Sequence, residues 1–391
     1  MRVLITSLSA LGHVHPMVPL ALALQEAGHA VRWLTGPDAS DRLERVGIEA
    51  IALGPAFEPL RAEYRRRYPD AARLPPRAVP DHVFPHLFGE IAPPAMLPAA
   101  IGVVEAWRPD VVVNEAGDLA APIAAAHGGV PSVTHGFGLL TPRHRVEAAS
   151  ALVAPLWRSV GLDPRPYAGL YDSLYLDIYP PSLRSGDSAH VPHAVSMRAV
   201  AFDDAGDPPP DPWLDAPEGS DPLVYLTFGT VARDHSALRV ALDGIAARHV
   251  RVLVTVGASG DPADLGPQPD HVRVERYVPQ THVLPRCAAV VSHAGSGTFL
   301  ATLANGVPQV CLPQHADQFL NADACQASGT GIALDPDRAS AIAVGEALDC
   351  ILADPAFAAR AREVAAEIAD MPAPSAVVAA IEAVAERASS A

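Results

Sequence analysis

Ser292-His293-Ala294-Gly295-Ser296-Gly297-Thr298 is the segment whose residue types and spacing come nearest to a ligand site. It ends an apolar run, Ala288 to Ser292, that reads as a short buried strand, and helical periodicity follows Thr298. A strand, a glycine-bearing turn and a helix start form an anion site, because the first helical N–H groups and the helix dipole point at the loop. Gly295 and Gly297 allow close backbone approach, His293 adds a donor, and Ser296 and Thr298 add hydroxyls, so a diphosphate fits. Beyond the next apolar run, Gln309 to Leu312, stand Asp317 and Gln318, an acceptor and a donor–acceptor suited to sugar hydroxyls.

A second candidate is Gly12-His13-Val14-His15-Pro16, directly after the first apolar run. Ligands of open α/β sheets gather at the carboxyl ends of strands, and Pro16 suits the first turn of a following helix. An imidazole titrates near neutrality, so a held His13 can take the proton from an attacking alcohol. His15 reads as a structural group at the helix start, and no further ligand set supports a metal reading of His-x-His. No GxGxxG follows the first strand, which weakens a nicotinamide-dependent reading.

The elements that must position these residues are short apolar runs alternating with helical stretches. In the first half the runs are Arg2–Thr6, Ala30–Thr35, Glu49–Leu53, Val111–Val113 and Pro131–Thr134. In the second half they are Leu223–Phe228, Val250–Val256, Val272–Arg276, Ala288–Ser292, Gln309–Leu312 and Ile332–Leu334. Continuous apolar runs separated by helices predict α/β domains with parallel sheets buried on both faces. Gly206 to Pro212, dense in proline, reads as a stiff linker dividing the two series.

A chain of 391 residues is ample for two cores. Its net charge of −16 argues against nucleic acid or an anionic membrane surface as a partner. The sequence has no Lys, so all 28 basic residues are Arg, a compositional bias without chemical meaning. Cys287, Cys311, Cys325 and Cys350 show no paired CxxC spacing and read as buried reduced thiols of a cytoplasmic protein. The apolar N-terminus is too short for a membrane span and reads as a first strand.

The segment from Tyr277 to Gln318 resembles the donor-binding signature of family 1 glycosyltransferases of the GT-B fold. Within the family it is most similar to the bacterial enzymes that attach sugars to polyketide and other antibiotic aglycones. Tyr277-Val278-Pro279-Gln280, His293 to Thr298, Gly306-Val307-Pro308 and Asp317-Gln318 stand in the family's order and spacing. The first twenty residues carry the matching acceptor-side motif, so the resemblance covers nearly the whole chain. It implies two Rossmann-like domains whose parallel sheets face each other across a cleft. Residues 1–205 would bind acceptor, 206–218 would be the linker and 219–371 would bind the nucleotide sugar. Residues 372–391 would form a helix packing back on the first domain.

The resemblance also assigns roles. His13 matches the catalytic base. Glu115 falls where many relatives have an Asp that supports this base, with Asp118 as the alternative. Tyr277 stands where relatives often have a Trp stacking on the nucleobase, beside Val278 and Gln280. Gly229 and Thr230 would reach the phosphates together with His293, Gly295, Ser296, Gly297 and Thr298, and Asp317 and Gln318 would bind the sugar. Where UDP-sugar users carry a Glu that holds both ribose hydroxyls, this chain has Ala301, which favours a dTDP-sugar over a UDP-sugar. The implied activity is inverting transfer of a (deoxy)sugar to a hydroxyl of an apolar natural-product aglycone, with no metal cofactor.

The stretches Leu74 to Pro98 and Phe137 to Tyr179 read as irregular acceptor loops, and Arg61 to Arg67 as a solvated charge run. Two other readings stay open, a GT-B nucleotide-sugar epimerase and a non-catalytic nucleotide-sugar-binding helper protein. The partners expected are a small apolar aglycone and a nucleotide sugar, with no nucleic acid and no membrane insertion; a homodimer is possible.

Overall fold

The computed structural model describes residues 1–184, 186–202, 211–215, 219–229, 236–257 and 260–389. The Pro-rich segment 206–210, residues 216–218 of the expected linker and Thr230 lie outside the described residues. The chain divides into two compact units. One comprises Met1–Tyr179, Ser185–Ala205 and Met371–Ala391, the other Pro180–Arg184 and Gly206–Asp370.

The first unit is built on β1 (Arg2–Thr6), β2 (Ala30–Leu34), β3 (Glu49–Ile51), β4 (Val111–Glu115), β5 (Ser132–His135), β6 (Leu174–Asp177) and β7 (Ala194–Ser196). They form a seven-stranded sheet in the order β3-β2-β1-β4-β5-β6-β7. Every pairing is parallel, with Val3 opposite Val31 on one side and Val111 on the other. All five residues of β4 are buried, as a strand covered by helices on both faces requires. Strand order reverses between β1 and β4, so the chain leaves these neighbours in opposite directions and opens a crevice at their carboxyl ends. His13 follows β1, and Glu115 closes β4.

The second unit repeats the plan with β8 (Leu223–Thr227), β9 (Arg251–Thr255), β10 (Val272–Glu275), β11 (Cys287–Ser292), β12 (Gln309–Cys311) and β13 (Gly331–Ala333). The order β10-β9-β8-β11-β12-β13 is again parallel and reverses between β8 and β11. Gly229 follows β8, and the loop from His293 follows β11.

Two stretches depart from the irregular structure their prolines and aromatics suggest. Residues Pro76–Trp107 form one helix, with π geometry over Phe84–Ile91. A proline inside a helix costs about 3 kcal/mol. Here Pro98 is tolerated because the helix buries Phe84, Leu87, Phe88, Ile91, Met96 and Leu97 in the core cluster that contains Leu4, Leu34 and Val112. This is the one described helix long and apolar enough to cross a membrane, and most of its apolar window is buried against the protein. The second stretch contains the helix Arg143–Ser159 and strand β6. The two helices approach closely at Gly89, where a Cβ would lie 2.7 Å from the Ala149 carbonyl.

The terminal helix Val378–Ser389 belongs to the first unit, where Glu382 Oε1 lies 3.1 Å from His29 Nε2. Arg198 N–H donates to the Pro372 carbonyl at 2.7 Å. All four cysteines are free thiols; Cys311 and Cys325 are buried, but Cys350 is exposed on the helix Ala341–Ala353, contrary to the expectation of a buried thiol.

Candidate active site

In the first unit, His13 lies in the one-turn helix Leu11–Val14, just beyond the end of β1. Its Nδ1 stands 3.0 Å from Glu115 Oε1; the His13 side chain is 13% exposed and Glu115 is fully buried. Glu115 also accepts from the Leu8 N–H at 3.5 Å and from the Gly117 N–H. A buried carboxylate needs such donors, since an unpaired one would be driven to its neutral form. Gly117 has no side chain because a Cβ there would meet the Glu115 Oε2 at 3.0 Å and Phe88 at 3.2 Å. Three phenyl rings surround the imidazole, with centroids at 5.7 Å for Phe57, 5.5 Å for Phe88 and 4.8 Å for Phe137. An alcohol bound here would meet one proton acceptor in an apolar setting.

Asp118 does something else. Its Oδ1 accepts from the Ala120 and Ala121 N–H groups at 3.2 and 3.3 Å, at the start of the helix Ala121–His127. Burial, and then the charge of Glu115, push its carboxyl up to about 7. Of the two candidate carboxylates, Glu115 is the one at ion-pair distance from His13. His15 packs edge-on against Phe202, with ring centroids 5.5 Å apart.

In the second unit, Gly295 is the N-cap of the helix Ser296–Ala304, and Ala294 before it is fully buried at φ +61°, a left-handed conformation that reverses the chain after β11. The His293 ring lies between two glycines. A Cβ on Gly295 would stand 2.5 Å from its Nε2, and one on Gly229 2.9 Å. Burial first, and the nearby His315 second, push His293 down to about 4, so it is a neutral imidazole at physiological pH. Glycine, neutral imidazole and helix N-terminus therefore converge at the end of β11, with the Asp317 carboxylate hydrogen-bonded to Ser296 in the helix's first turn.

The hydroxyls are more committed than the sequence suggests. Ser296 Oγ donates to Asp317 Oδ2, so this hydroxyl is held by a carboxylate, and what Ser296 can offer an anion is the backbone N–H at the helix start. Thr298 Oγ1 accepts from Gln280 Nε2 at 2.9 Å, which ties the Tyr277–Gln280 segment to the start of the helix Ser296–Ala304. Gly297 has open space around its Cβ position. Gln318 Oε1 accepts from the Gln314 and His315 N–H groups at 2.8 and 3.0 Å, so its carbonyl oxygen holds the loop before its own helix. Tyr277 is 43% exposed, and Val278 packs against the cluster that contains Tyr225 and Ala301. Ala301 is 6% exposed and packs with Tyr225, Val283 and Leu284, one turn beyond Thr298.

The residue that sequence reasoning missed is Asn321. It is fully buried, and its Nδ2 donates to the Ala294 carbonyl at 2.9 Å and to Ser296 Oγ at 3.0 Å, with Asp317 Oδ2 at 3.5 Å. The available signal was its spacing, four residues after Asp317 on one helix face. Among the described residues, no group of three or more His, Cys, Asp or Glu side chains is placed to hold a metal ion.

Residues 22–229 match the family described as erythromycin biosynthesis protein CIII-like, N-terminal domain, and residues 239–384 match its C-terminal domain. The elloramycin glycosyltransferase ElmGT of Streptomyces olivaceus is 36% identical over 97% of this chain and 96% of its own length. The L-demethylnoviosyl transferase of Streptomyces niveus is 35% identical, with 96% of each chain covered. The chain belongs to the antibiotic-tailoring glycosyltransferases. Its two parallel-sheet units are those of the GT-B fold that this family shares. Among solved members, the spinosyn rhamnosyltransferase SpnG superimposes with a TM-score of 0.83 at 27% identity, covering 98% of this chain and 100% of that one. SpnG has also been solved with thymidine diphosphate and with spinosyn aglycone, and the glycosyltransferase VinC with dTDP. As a member of this family, the chain is a glycosyltransferase, and the groups described above in each unit are the candidates for its chemistry.

Proposed function

We propose that the chain is a cytoplasmic, inverting, metal-independent glycosyltransferase that moves a deoxysugar from a dTDP-sugar to a hydroxyl of an apolar, polyketide-like aglycone. The observation that carries the reading is the 3.0 Å pairing of His13 with buried Glu115 among Phe57, Phe88 and Phe137. His13 removes the proton from the acceptor hydroxyl, and the oxygen attacks the anomeric carbon from the face opposite the diphosphate. The bond from that carbon to the diphosphate oxygen breaks as the new glycosidic bond forms. Glu115 stabilises the imidazolium and fixes the ring orientation, as a carboxylate does in other base–acid pairs.

Negative charge growing on the leaving diphosphate is met by His293, the backbone of Gly295 to Thr298 and the dipole of the helix Ser296–Ala304, a provision that can replace a divalent ion. Asp317 and Gln318 read the sugar hydroxyls, and Tyr277 stacks on the base. The thymidine diphosphate in SpnG and VinC supports the choice of donor. So does Ala301, which supplies no acceptor for a ribose 2′-hydroxyl.

The test is a matrix of dTDP- and UDP-sugars against a panel of aromatic and macrocyclic aglycones, with and without EDTA, read by mass spectrometry, with His13→Ala as control. Glycoside should form from a dTDP-sugar, unaffected by EDTA, and His13→Ala should lower turnover by at least ~10²-fold, the lower bound for general-base catalysis. Donor conversion without acceptor would point to an epimerase, and near-normal turnover by His13→Ala would remove His13 from the mechanism.

A further inference from the structure

Resting on the donor reading above, we infer that Asn321 is a positioning residue that locks the phosphate loop to the sugar-reading carboxylate. The Asn321 carboxamide is fully buried at the second turn of the helix Gln318–Ser328. Its NH2 has two protons, and its two shortest contacts are to acceptors on the phosphate loop. These are the Ala294 carbonyl at 2.9 Å and Ser296 Oγ at 3.0 Å. Ser296 Oγ, having accepted from Asn321, donates its own O–H to Asp317 Oδ2. The chain of donors thus runs from Asn321 through Ser296 to Asp317, and Asp317 Oδ2 is occupied from within the protein. Among the described residues nothing engages the other carboxylate oxygen, Oδ1, which is left to meet the donor sugar.

The geometry couples two functions. Ala294 sits at φ +61°, a conformation that a residue with a Cβ keeps only when its surroundings hold it there. Asn321 is one of those holds. The same side chain sets the direction of the Ser296 hydroxyl and hence the orientation of Asp317. One amide therefore sets the register between the sugar-reading carboxylate and the phosphate loop. A donor whose sugar fits Asp317 is presented with its diphosphate in register with His293 and the helix N-terminus. A misfitting sugar strains that register.

The experiment compares Asn321→Ala and Asn321→Leu with Ser296→Ala and with the Asn321→Ala/Ser296→Ala double variant. Calorimetry measures dTDP and dTDP-sugar binding, steady-state kinetics gives kcat and KM for the donor, and thermal unfolding checks the fold. Because both bonds help to orient a charged partner, kcat/KM for the dTDP-sugar should fall by roughly ten- to a hundred-fold in Asn321→Ala. dTDP affinity should change by less than about three-fold, so the advantage of dTDP-sugar over dTDP is lost. The double variant should lose little more than the worse single variant, because both substitutions break one chain.

A purely structural role would lower the affinities for dTDP and dTDP-sugar together, in step with the unfolding temperature, and that result overturns the inference. So would wild-type-like kinetics in both Asn321 variants, or additive losses in the double variant. A wild-type protein that binds neither dTDP nor dTDP-sugar removes the donor reading itself, and this inference falls with it.

Discussion

Glu115→Gln isolates the charge of the carboxylate from its shape. The side chain keeps its length and planarity, so the buried site at the end of β4 stays filled, but the formal charge 3.0 Å from His13 Nδ1 disappears. During reaction His13 becomes an imidazolium. Two unit charges at that separation attract by about 5.5 kcal/mol at an effective dielectric constant of about 20. The amide oxygen of Gln retains part of this as a dipole, so the transition state should lose roughly 3–5 kcal/mol. That corresponds to a 10²- to 10⁴-fold drop in kcat, since each 1.36 kcal/mol is about ten-fold in rate.

The assay is kcat at saturating donor and acceptor for Glu115→Gln, His13→Ala and the double variant. In the His13→Ala background, Glu115→Gln should change the residual rate by less than about three-fold, because there is no imidazolium left to stabilise. Asp118→Asn should cost far less than Glu115→Gln, since Asp118 is turned toward the Ala120 and Ala121 N–H groups. The pairing argument is refuted if Glu115→Gln keeps turnover within about three-fold of wild type, or if Asp118→Asn proves the more damaging change.

Calorimetry should find dTDP bound roughly five- to a hundred-fold more tightly than UDP, because a 2′-hydroxyl buried without an acceptor near Ala301 costs ~1–3 kcal/mol; Ala301→Glu should narrow that gap, and equal wild-type affinities would refute the assignment. Gly295→Ala puts a Cβ 2.5 Å from His293 Nε2, so the ring must move. Overpacking of this kind costs ~1–3 kcal/mol, and dTDP affinity measured by titration should fall at least several-fold. His135 and His293 are both pushed down to about 4, chiefly by burial, so folding favours their neutral forms. Their contribution to stability is complete above the unfolded value of about 6.5 and is lost as pH falls toward 4, by up to ~3 kcal/mol for each ring. Urea unfolding across that range should reveal the loss, and His135→Phe should flatten its slope; an unchanged slope would refute the assignment to His135.

The strands were legible because a parallel sheet buried on both faces leaves uninterrupted apolar runs, as at Leu223–Thr227 and Val111–Val113. β6 and β7 escaped notice. Leu174–Asp177 is embedded in an aromatic, tyrosine-bearing stretch, and Ala194–Ser196 is three residues at a sheet edge. The helix Pro76–Trp107 was hidden by prolines whose cost is outweighed by tertiary burial that no local pattern reports. At the site, the strand–glycine–helix start after Ser292 could be read from residue types alone. The partnership of His13 and Glu115 was legible only through the family resemblance, which left Asp118 as an alternative, because the two lie about a hundred positions apart and meet through the pairing of β1 with β4. The commitment of Ser296 to Asp317, and the part played by Asn321, depend on side-chain directions that spacing does not encode.

The first unit is completed by Met371–Ala391, which reach it only after the second unit has been synthesised. On the ribosome, the amino-terminal half therefore emerges without its last helix and waits for some 165 residues, Gly206–Asp370, before His29 can meet Glu382. The same circuit constrains recombination between relatives. A chimera cut once in the Pro-rich segment would pair one enzyme's first unit with another enzyme's closing helix, whereas two junctions, the second near Met371, would let each first unit keep its own tail.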